Sequence, residues 1–151
     1  MSEKTIQAAE TFRNGFNCSQ AVLSVFAQDF GLTRDNCLRL ASPFGSGIAR
    51  RQETCGAVTG ALMVIGLKYG KGEHGVEADK AYAYKLSQQV IARFSEQHKT
   101  ICCRDLLEGL DMNILEDMAE IQKRELFSRN CSKYVQEAVA ITEAILSDQL
   151  E

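Results

Sequence analysis

CGAVTGALMVIGLKYG, residues 55–70, is the stretch on which the fold turns. It contains no proline and no charge before Lys68, and Thr54 stands ready to cap a helix running from Cys55 to about Tyr69. Gly56, Ala57, Gly60 and Ala61 fall in consecutive turns, so a second backbone can approach closely, while Leu62, Met63, Ile65 and Leu67 supply bulk. A helix of this composition belongs at the centre of a helical protein, packed within the chain or across a dimer. Its apolar run, GALMVIGL at 60–67, falls well short of the roughly 20 residues that span a bilayer, so no membrane insertion is expected.

Working outward, SPFGSGIARRQE at 42–53 is broken by Pro43, Gly45 and Gly47, and GKGEHG at 70–75 is a second loop. Neither glycine-rich loop lies between a strand and a helix at a phosphate-binding spacing, which excludes a nucleotide site. Val76 to His98 form a long amphipathic helix with Tyr82, Leu86, Val90 and Phe94 four residues apart. Toward the N-terminus, helices are expected from Glu3 to Asn14, from Cys18 to Phe30 behind the cap Asn17, and from Thr33 to Ala41, with Gly15 and Gly31 as stops. Toward the C-terminus come a short turn at Cys103–Leu107, a helix from the cap Asn113 to Phe127 with Glu116 placed for a capping box, and a helix from Cys131 to Leu146 behind Asn130. Val135, Ala138, Val139, Thr142 and Ile145 form the inner face of the last. The expectation is all-α: a compact single-domain bundle of seven or eight helices over residues 1–151.

Apolar residues make up 45% of the chain, charged residues 25%, and the net charge is −3, a balance that fits neither disorder nor electrostatic binding of nucleic acid or anionic membrane. The first residues, MSEKTIQAAETFRNG, carry charge throughout and lack the apolar core of a secretory signal, so a cytoplasmic protein is expected. No Ser/His/Asp set, paired-carboxylate site or H-E-x-x-H occurs, which argues against a hydrolase. His74 and His98, both flanked by polar residues, are expected on the surface.

Six cysteines remain to be explained. In a reducing compartment they are not a permanent disulfide framework, and no C-x-x-C knuckle points to structural zinc. Their placement is unusual: Asn17-Cys18-Ser19 and Asn130-Cys131-Ser132 repeat one motif, and Thr54-Cys55 resembles it. If these caps hold, Cys18, Cys55 and Cys131 each occupy the first helical position, where free N–H groups and the helix dipole favour a thiolate. Arg50, Arg51 and Arg104 would add to that effect. Cys37 lies inside a helix and reads as packing, whereas Cys102 and Cys103 are too close to bridge each other without strain, so one of them serves the site.

With Cys18, CGAVTG at 55–60, CCRDLL at 102–107 and Cys131 in this order, the chain resembles the C-GCAxxG-C-C family of redox-active proteins. Four separated cysteines and a Cys-Gly-Ala-x-x-Gly motif mark that family, and the motif here reads Cys55-Gly56-Ala57-Val58-Thr59-Gly60 without departure. The resemblance runs from GFNCSQAV to NCSKYV and implies that the four family cysteines are Cys18, Cys55, Cys103 and Cys131, with Cys103 preferred because it directly precedes RDLL. Two uses follow: thiol/disulfide exchange with an unidentified redox partner, or an iron–sulfur cluster or single metal ion held by the same four cysteines. A helical interaction module with inert buried thiols is the third reading.

Overall fold

A computed structural model describes residues 1–149, and among these described residues the chain forms eight right-handed α-helices. They are α1 (Glu3–Arg13), α2 (Cys18–Ser24), α3 (Arg34–Ala41), α4 (Gly56–Tyr69), α5 (Glu77–His98), α6 (Cys103–Leu106), α7 (Leu115–Lys123) and α8 (Ser132–Asp148). No helix is long and apolar enough to cross a membrane among the described residues.

The 55–70 stretch does take the centre. Helix α4 packs on α2, α5 and α8, with Ala57, Val58, Ala61, Val64 and Ile65 wholly enclosed. Leu67 faces outward instead of supplying bulk. The small-residue stripe is filled from within the chain: a Cβ built on Gly60 would lie 2.9 Å from the Ser19 carbonyl oxygen and 3.0 Å from Val22 Cβ. Leu86, Val90 and Phe94 of α5, and Val135, Ala138, Val139, Thr142 and Ile145 of α8, close the core as their spacing predicts.

Several boundaries differ from expectation, each for a local reason. Asn17 caps α2 by accepting the Gln20 N–H, while Gln20 Oε1 accepts the Asn17 N–H. The helix nevertheless stops at Ser24, and a tighter turn, Ala27–Phe30, carries the chain to Gly31 at φ 70°. Helix α7 starts at Leu115 rather than behind an Asn113 cap, because Asn113 is engaged elsewhere: its Nδ2 donates to the Arg50 carbonyl and its Oδ1 accepts from Arg50 Nε. Asn130 does not cap α8. The segment Phe127–Cys131 is a wide π-turn running into α8, and Cys131 already has helical angles (φ −64°, ψ −34°).

The segment between α3 and α4 is the most unusual. Ser46, Gly47, Ile48, Ala49 and Arg50 all have φ between 50° and 70°, a run in the left-handed region that L-residues avoid. Surrounding groups hold it there. The Ala49 N–H donates to the Pro43 carbonyl, the Gln52 N–H to the Ser46 carbonyl, and the Glu53 N–H to the Gly47 carbonyl. Beyond it, residues 52–55 pair antiparallel with 101–104: the Cys55 N–H donates to the Ile101 carbonyl (2.7 Å) and the Cys103 N–H to the Glu53 carbonyl (2.6 Å). Thr54 is thus bridged to Cys102 and does not cap α4, leaving Cys55 at the cap position.

Candidate functional site

The four cysteines of the spaced set meet at one cavity of about 570 Å³. Each arrives on a different element. Cys18 is the first residue of α2, Cys55 the cap of α4, Cys103 the first residue of α6, and Cys131 the end of the π-turn before α8. The left-handed segment forms another wall through Ser46 and Gly47. A Cβ on Gly47 would stand 2.6 Å from Cys103 Cβ, so the backbone itself presses against this cysteine. Phe12, Phe16, Leu106, Leu107, Met112, Phe127 and Tyr134 make the rest of the lining apolar.

Cys37 is wholly enclosed in the core, away from the cavity, as its position inside α3 predicts. The adjacent pair separates cleanly: Cys103 faces the cavity, whereas Cys102 turns its thiol to the Gln52 carbonyl at 3.5 Å. All six cysteines are free thiols.

The thiolate expectation does not hold at Cys18, Cys55 or Cys103. Helix-start positions predict lowered pKa values, yet the Cys18 thiol is pushed well above its ordinary value, first by its interaction with the Cys131 thiol, although Cys55 works in the opposite direction and burial adds to the rise. Cys55 is raised as well, by Cys18 and then by burial, which together outweigh the Ala57 and Val58 N–H groups favouring its anion. Burial pushes Cys103 up to about 12, against a smaller opposing effect of Arg104. The physical reason is that a partial helix charge is small beside the loss of water around a buried anion. The arginines are also committed elsewhere: Arg104 pairs with Asp111 at 2.8 Å, Arg51 with Glu53 at 3.6 Å, and Arg50 donates to the Met112 carbonyl.

Among the described residues, no group of three or more His, Cys, Asp or Glu side chains is gathered so as to hold an ion. Iron–sulfur and zinc sites require converging thiolates. His74 is exposed as expected, but His98 is only half-exposed: its ring packs between Phe94 and Tyr134, at 4.7 and 4.8 Å between centroids.

Two parts of the site escaped the sequence reading. Gln52 is 2% exposed, and its Oε1 accepts the Met112 N–H (2.7 Å) while its Nε2 donates to the Leu110 carbonyl (2.8 Å), tying the segment after α6 to the left-handed loop. Nothing in ARRQE distinguishes this glutamine from a solvated one. The aromatic lining from Phe12, Phe16 and Phe127 was equally hidden, since each lies in a segment that periodicity assigns to a helix end or a turn.

An all-α scaffold bringing four free thiols from distant segments to an apolar cavity defines a cysteine-centred helical protein. The chain belongs to the family described as "Putative redox-active protein (C_GCAxxG_C_C)", whose model matches residues 16–145. No curated protein and no solved structure gives a significant match.

Proposed function

We propose that the protein is an oxidoreductase that exchanges a dithiol for a disulfide at this cavity, with Cys18 as its centre. One observation carries the reading: Cys18, Cys55 and Cys131, delivered by three different elements, line one cavity as free thiols, and Cys131 and Cys55 are the first influences on the Cys18 thiol. A nucleophile with resolving thiols beside it is what exchange requires. The Cys18 thiol loses its proton and attacks one sulfur of a substrate disulfide, forming a mixed disulfide and releasing the first substrate thiol. Cys55 or Cys131 then attacks Cys18 Sγ, closing an internal disulfide and releasing the second thiol. Two electrons and two protons have passed to the substrate, and a second dithiol returns them to reset the protein. Cys103, which lines the same cavity, is the reserve thiol. The cytoplasm, where thiols are kept reduced, suits such a cycle.

Because the thiols rest protonated, the first step awaits deprotonation, and exchange accelerates as pH rises. The test is oxidation of the reduced protein with an aromatic disulfide, followed by counting free thiols and mapping bridged peptides by mass. A Cys18–Cys55 or Cys18–Cys131 bridge is expected, and Cys18→Ser abolishes it. All six thiols surviving oxidation in the folded protein would refute the proposal.

A further inference from the structure

Resting on that reading, the cavity also indicates what kind of disulfide it takes. Three of its polar lining side chains are already occupied by the protein itself. Asn17 accepts from the Gln20 N–H and donates to the Ser42 carbonyl, Ser128 Oγ donates to the Glu125 carbonyl, and the Tyr134 hydroxyl donates to the Leu106 carbonyl. What remains toward a ligand is mostly aromatic and aliphatic surface, a preference for an apolar body of drug-like size or smaller.

Arg13 is the exception. It is the charged residue on the cavity wall, and it stands exposed at the mouth with Gly15 and Ser128, while Cys55, Cys103, Leu107 and Met112 form the buried floor. Like Arg34, Arg39, Arg50 and Arg129, Arg13 has no ion pair among the described residues, but it alone of these stands on the cavity wall. Its planar fork of donors is therefore free to accept a carboxylate arriving with a substrate.

We propose that the substrate is a small disulfide with an apolar, ring-sized body and an anionic group, the body filling the Phe12/Phe16/Phe127 end of the cavity and the anion meeting Arg13 at its mouth. The thiols line the same cavity, within which the disulfide would be held. A bulky, polar peptide disulfide satisfies neither the apolar walls nor the enclosed floor.

The test uses the Cys102→Ser protein, so that the thiol outside the cavity does not contribute. Reduced protein is mixed with dithiobis(nitrobenzoate), an aromatic disulfide with a carboxylate on each ring; with dithiodipyridine, its neutral counterpart; and with glutathione disulfide, which is charged but polar. Each rate is divided by that reagent's rate with free cysteine at the same pH, which removes differences in leaving group. The expected order is the anionic aromatic first, the neutral aromatic second and glutathione disulfide last. Arg13→Gln lowers the ratio of anionic to neutral aromatic rates by about tenfold, the scale of one lost charge-assisted contact. Arg13→Lys keeps part of that ratio, and added salt reduces it in the parent protein.

Equal normalised rates, a preference for glutathione disulfide, or a ratio indifferent to Arg13 would overturn the substrate assignment, even if an internal Cys18 disulfide still forms. Absence of that internal disulfide with all three reagents overturns the exchange reading itself and this inference with it.

Discussion

Gly47 shows how much a single residue decides at this site. Its φ of +64° suits glycine, and an added Cβ would meet Gln52 Cα at 2.5 Å and both Cys103 Cβ and Glu53 N at 2.6 Å. Gly47→Ala is therefore expected to cost about 3 kcal/mol, from backbone strain and overpacking together, read as a lowered urea midpoint. The thiols make a second residue-level prediction. Raised pKa values in the folded state mean that Cys18, Cys55 and Cys103 hold their protons where the unfolded chain has already lost them. Their contribution to stability is full below the ordinary thiol range and is lost as pH climbs from about 8.5 through the folded values, up to about 12 for Cys103. Unfolding free energies measured between neutral and alkaline pH should fall across that window.

At the scale of elements, α4 owes its position to glycines on one face only. Gly60 meets the α2 backbone, so Gly60→Val should push α2 and α4 apart and cost about 3 kcal/mol. Gly66 lies in the same helix with nothing within 4 Å of its would-be Cβ. Gly66→Ala should therefore stabilise the protein by about 0.5 to 1 kcal/mol through helix propensity alone, and thermal melting of the two variants should move in opposite directions. The start of α2 gives a third case. Asn17→Ala removes the acceptor for the Gln20 N–H and the donor to Ser42, an expected loss of about 1 kcal/mol. Cys18 follows directly, so this variant should also slow formation of the Cys18 disulfide in the mapping experiment.

Across the whole molecule, the proposed bridges would tie α2 to α4 or to the entry of α8, joining segments far apart in sequence. Closing so long a loop restricts the unfolded chain, so the oxidised protein should resist denaturant better than the reduced one by about 3 to 4 kcal/mol, and Cys18→Ser should erase the difference. The helices were legible because each carries its own evidence: Leu86, Val90 and Phe94 in step along α5, Thr33 accepting the Asn36 N–H before α3, Gly15 in the left-handed region after α1. The identity of the four cavity cysteines was legible through the family pattern, and the choice of Cys103 over Cys102 agrees with the direction each takes. What local sequence missed, it missed for one reason. The left-handed run at 46–50, the loss of the Asn113 cap to Arg50, the burial of Gln52 and the protonated thiols all depend on which distant group lies opposite, and periodicity and capping rules see only near neighbours. By itself, the sequence determined helices, their order and the family. Whether the Cys18, Cys55 and Cys103 sulfurs would rest charged or neutral was decided by the tertiary structure, because only packing fixes how much water surrounds them.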